Sequence, residues 1–154
     1  MIASAHLAYG AACGIIVQKY LPVGFGKESR CAVALVAGLV SHMILDAWPH
    51  WEYPQHGFEL LAILLVETSL VSIGIFSAKR SQTMNIVIFC GMVGGAVPDP
   101  SLVIWEKLFF WEPLLYFHFV THIFHSSLPF FEISWLFQMV LTVLAMVYIQ
   151  WKSA

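Results

Sequence analysis

Apolar residues run along this chain in long stretches separated by short polar breaks. Five stretches are extended enough to be read as helices in an apolar phase: about Ile2 to Val17 or Tyr20, Cys31 to Ala47, Phe58 to Ala78, Met84 to Val97, and Ile133 to Gln150. A spanning helix needs roughly 20 apolar residues. The first two are short for a bilayer, which predicts tilt or local thinning. Between the fourth and fifth lies an aromatic-rich region, Ser101 to Glu132, broken by Pro113 and Pro129. The segment Pro129-Phe-Phe-Glu132 leaves little room to turn between two full spans, so this region predicts one or two interfacial or re-entrant helices. The pattern as a whole predicts an all-α, polytopic membrane helical bundle of about five spans in a single domain, 1–154.

Composition agrees. Of 154 residues, 60% are hydrophobic and 10% charged, against about 45–50% and about 25% in soluble domains. The length leaves no room for a second, soluble domain. Seven Lys and Arg without a basic stripe argue against nucleic acid as a partner. Cys13, Cys31 and Cys90 show no C-x-x-C spacing, so neither a disulfide framework nor a thiolate knuckle is expected. The start of the chain lacks a basic segment before its apolar run, so the first helix is expected to stay in the mature protein.

Charge then orients the bundle. Lys19, Lys27 and Arg30 follow the first stretch, Lys79 and Arg80 follow the third, and Lys152 follows the fifth, whereas the opposite side holds only Lys107. The positive-inside rule places the N-terminus outside and the C-terminus in the cytoplasm of a cell, or inner, membrane. Trp48, Trp51, Tyr53, Trp105 and Trp111 would form the outer aromatic belt, with Tyr20 and Trp151 near the inner one. A sixth span at 114–131 remains open.

With that orientation every histidine falls in the outer half, as do all acidic residues except Glu28. His6 lies near the outer end of the first helix. His42 and Asp46 are four apart, hence on one helical face. Pro49 biases Trp48 away from helical geometry and puts His50 in the loop. His118, His122 and His125 form an i, i+4, i+7 stripe, and Asp99 is clamped between Pro98 and Pro100. Imidazoles and carboxylates converging at one depth suit a metal ion with an open position for water. Plainer readings stand beside this one: a satisfied His/Asp pair, an amphipathic stripe, a turn aspartate. Glu67, inside the third stretch, is expected to be protonated or paired, either as a proton relay, as a partner for a ligand histidine, or in a plain interhelical hydrogen bond. The runs Gly10-Ala-Ala-Cys-Gly14 and Gly91-Met-Val-Gly94-Gly95 offer surfaces for close helix approach.

On His6, His42-x-x-x-Asp46, Gly95-Ala-Val-Pro98-Asp99 and His122-Ile-Phe-His125-Ser126, the chain resembles the small bacterial inner-membrane proteins identified as metal-dependent hydrolases, themselves similar to zinc-dependent phospholipase C. That family usually carries Pro-Asp-x-Asp-His where this chain has Pro98-Asp99-Pro100-Ser101. The resemblance implies His6, His42, Asp46, Asp99, His122 and His125 as ligands, with His118 an addition, around one or two zinc ions. It also implies hydrolysis, with Asp99 or Asp46 accepting a proton from water. His50 and Glu67 would support the ligands. An outer-interface position rimmed by tryptophans suits an ester or phosphodiester substrate, a phospholipid among them. The competing expectation is a non-enzymatic protein, a metal carrier or a scaffold. A carrier needs polar groups across the whole membrane, and below Glu67 the third stretch offers only Thr68, Ser69, Ser72 and Ser77.

Overall fold

The computed structural model describes residues 3–46, 57–98 and 131–153. Those residues form five α-helices and no strand: α1 (Ala3–Tyr20), α2 (Lys27–Asp46), α3 (Gly57–Phe76), α4 (Gln82–Ala96) and α5 (Phe131–Ser153). Each coincides with one of the five apolar stretches. Two of them, α2 and the Phe58–Phe76 part of α3, are long and apolar enough to cross a membrane by length and composition. With 15 residues, α4 reaches about 22 Å, less than the ~30 Å of a hydrocarbon core. Pro113 and Pro129 and the tryptophan belt lie outside the described residues.

Helix α1 is the centre of the bundle and contacts the other four. Ser4, Ala5, His6, Leu7, Ala8, Gly10, Ala11, Ala12, Gly14, Ile15 and Val17 are buried, covering nearly its whole circumference. Small side chains make that possible, because they let neighbouring backbones come close on several sides at once. Gly10 and Gly91 meet face to face: a Cβ on either would collide with the carbonyl of the other. Gly14 sits against Val87 and Ile88, Gly38 against Gly91 and Gly95, and Gly94 against Leu35 and Leu39. These pairs run α4 antiparallel to α1 and parallel to α2. The main apolar cluster joins Leu7, Ala11 and Ile15 to Val71 and Ile75 of α3, Ile88 and Met92 of α4, and Ala145 and Ile149 of α5. Helix α3 packs on α1 and α5, and Gln150 of α5 donates to the Gly74 carbonyl of α3.

The helix ends are set by local chemistry. Ser81 caps α4, its hydroxyl accepting the Met84 amide at 3.2 Å, which satisfies one of the donors a helix start leaves open. The C-terminal end of α1 is held by Arg30. Its guanidinium donates to the carbonyls of Val17, Gln18, Leu21, Pro22 and Phe25 at 2.9–3.4 Å, and the residue is buried. A cation is favoured there by the helix dipole, and a planar fork of donors suits a ring of carbonyls. This interaction draws the polar segment Lys27–Arg30 into the first turn of α2, four residues before the apolar run begins.

Candidate metal centre

At one end of the bundle three functional side chains converge. His6 comes from the first turns of α1, and His42 and Asp46 from the last turns of α2. The i, i+4 spacing sets His42 and Asp46 on one face of α2, and the glycine contacts pack α4 closely against both α1 and α2. His42 Nε2 lies 2.9 Å from Asp46 Oδ2, and His6 Nε2 lies 3.2 Å from Oδ1. The imidazoles stack with centroids 4.1 Å apart and planes inclined at 30°. All three residues are at least 97% buried.

His42 has a fixed orientation. Its Nδ1 lies 2.9 Å from the carbonyl oxygen of Gly95, and because a carbonyl can only accept, Nδ1 must carry the hydrogen. Gly95 belongs to the last four residues of α4, whose carbonyls have no partner within the helix. A neutral His42 therefore turns the lone pair of Nε2 toward Asp46. Two acceptors 2.9 Å apart repel unless a positive charge lies between them, either a proton or a metal ion. His6 Nε2 points to the other oxygen of the same carboxylate, so the three residues face one another around a place that could hold a cation.

The donor set could hold a metal ion. Two imidazoles and a carboxylate each offer one ligand atom, and these three atoms lie within 4.8 Å of one another, a spacing that a three-ligand site can use.

Three of the expected ligands, His6, His42 and Asp46, are thus brought together. Asp99, His118, His122, His125 and His50 lie outside the described residues. Glu67, for which the sequence leaves open a proton relay, a partner for a ligand histidine and a plain interhelical hydrogen bond, accepts the backbone amide of Ser4 at 3.2 Å and so ties α3 to the start of α1 two residues before His6. The cysteines are free thiols and half-buried. Cys31 and Cys90 pack beside Val17, Ala34 and Val87, away from the centre. The Gly95 carbonyl was not anticipated as a partner for His42, since the Gly94-Gly95 pair reads as a packing surface alone. Gln138 and Thr142 are buried polar residues of α5 that the sequence reading passed over. A glutamine within an apolar helix was the available signal for the first.

Comparison with protein-family models, curated proteins and solved structures returned no significant match.

Proposed function

We propose that the protein is an integral membrane metalloprotein whose His6–His42–Asp46 centre holds zinc near the extracytoplasmic face and serves hydrolysis of an ester or phosphodiester. The observation that carries this reading is the convergence of His6 Nε2, His42 Nε2 and the Asp46 carboxylate, with the remaining nitrogen of His42 committed to Gly95.

The membrane part draws support from an inside-out distribution of polarity. The described exterior is apolar: Val36, Val40 and Ile44 of α2, Leu65, Leu70 and Ile73 of α3, and Val143, Leu144 and Val147 of α5 are exposed, while His6, His42, Asp46 and Gln138 are buried. Water would penalise so extended an apolar surface, and lipid tails do not. The five-span topology with N-terminus outside rests on the distribution of Lys and Arg.

In the proposed centre, His42, with Nδ1 held by Gly95, would present an unprotonated Nε2, and His6 Nε2 and the Asp46 carboxylate would complete the ligand set. A zinc ion supplies Lewis acidity, lowering the pKa of water toward neutrality. Asp46 faces both imidazoles with its two oxygens, and in this reading it would also accept the proton from water. The motifs shared with metal-dependent hydrolases favour an ester or phosphodiester, and Asp99 remains the alternative base. The same donor set also suits ferrous iron, and metal analysis distinguishes the two. Purified protein in detergent should contain stoichiometric zinc, His42→Ala should lack it, and the zinc-loaded protein should turn over a phosphodiester or carboxylester. Zinc without turnover across a broad ester panel would assign the chain to non-enzymatic metal binding. Absence of metal from both proteins would remove the centre.

A further inference from the structure

Gly95 touches both arms of the cluster, although it offers no side chain. Its carbonyl accepts the Nδ1–H of His42 at 2.9 Å. A Cβ at this position would collide with the His6 carbonyl oxygen and come within 3.2 Å of Gly10 Cα. Helix α4 therefore rests directly on the α1 backbone at the residue that bears the first ligand, while its free carbonyl reaches the second ligand on α2.

We propose that Gly95 is the positioning residue of this centre: its carbonyl fixes the tautomer and direction of His42, and its missing side chain seats α4 against the backbone of His6. The inference rests on the metal reading above and deepens it. Without the carbonyl, the His42 ring is free to place its proton on Nε2, which removes the lone pair aimed at Asp46. Without the close seat, α4 withdraws from α1 and takes the carbonyl with it. One glycine thereby ties together ligands from two helices, neither of which is its own. Neutral imidazole ligands depend on such an outer partner to set which nitrogen faces the ion, and loss of the partner lowers metal affinity by about 10–100-fold.

The test pairs Gly95→Ala with Gly14→Ala. Gly14 lies in the same α1–α4 interface, where a Cβ would stand 2.6 Å from Ile88 Cα and 2.8 Å from the Val87 carbonyl. It is about 12 Å along α1 from His6, beyond the range at which substitutions usually couple. Zinc affinity, measured by competition with a chelating dye in detergent, should fall 10–100-fold in Gly95→Ala and change less than about threefold in Gly14→Ala. The independent readout is nitrogen-15 NMR of histidine-labelled wild type, with His42 assigned by its loss in His42→Ala. Nδ1 of His42 should carry hydrogen in both the metal-free and zinc-loaded protein. An Nε2–H tautomer in neutral, metal-free wild type overturns the proposal, and that spectrum requires no glycine variant to fold. Equal affinity losses in the two variants also overturn it, since they reduce Gly95 to packing. A wild type that binds no zinc but keeps the Nδ1–H tautomer sinks the metal reading and leaves the positioning of His42 standing.

Discussion

Asp46→Asn separates the metal from the fold. In the wild type, both carboxylate oxygens face imidazole nitrogens, at 3.2 and 2.9 Å, in a site where the Asp46 side chain is 4% exposed. The amide of asparagine has nearly the same shape and can donate from its nitrogen to His42 Nε2, whose own hydrogen stays with Gly95. A neutral hydrogen bond then replaces the buried charge, so metal-free stability should change by only about 1 kcal/mol. Metal binding should suffer far more, because the one anionic ligand is gone. At free zinc of about 1,000 times the wild-type Kd, binding to the folded state alone stabilises it by about 4.1 kcal/mol, a rise of roughly 8–16 °C for a chain of this size. A 100-fold weaker Kd, the upper end of the loss caused by outer partners alone, leaves about 1.4 kcal/mol at the same zinc concentration, or roughly 3–6 °C. The assay is thermal unfolding in detergent followed by tryptophan fluorescence, with chelator and with zinc. Equal zinc-induced shifts in wild type and Asp46→Asn would refute the assignment of Asp46 as a ligand. A metal-free Asp46→Asn protein that unfolds many degrees below wild type would show instead that the carboxylate is needed as a structural ion-pair partner.

Arg30→Met should lower stability by about 3 kcal/mol, because several charge-assisted bonds to the end of α1 are lost at once. Arg30→Lys should recover only part of this, since an ammonium lacks the planar fork; thermal melts of the three proteins check it. Glu67→Ala removes the acceptor of the Ser4 amide and should weaken zinc binding about fivefold by loosening the start of α1, while Glu67→Gln keeps an acceptor and should stay near wild type; dye competition measures both. For topology, single cysteines at Gln55 and Gly24, with the native cysteines replaced, should react with a membrane-impermeant thiol reagent from outside and only after permeabilisation, respectively. The reverse pattern would invert the orientation.

Hydropathy located all five helices because a backbone in an apolar phase must satisfy its own hydrogen bonds, which leaves helix as the form such a stretch takes. The 3.6-residue repeat likewise placed His42 and Asp46 on one face, since that relation is contained within a single helix. Relations between helices were another matter. Gly10, Gly14, Gly91 and Gly94 were legible as close-approach surfaces, but which helix approaches which depends on the packing order around α1. Only that order brings His6 to Asp46 and the Gly95 carbonyl to His42. Arg30 reads in the sequence as one more inner positive charge, whereas in the fold it closes the end of α1, because the turn at 21–26 carries the chain back beneath that helix. Glu67 meets Ser4 through a backbone amide, which leaves no mark in the identity of the partner residue. Periodicity and hydropathy are properties of contiguous chain and can be read from it; the centre is built from contacts between distant segments, including main-chain atoms common to every residue, so the tertiary packing decided it.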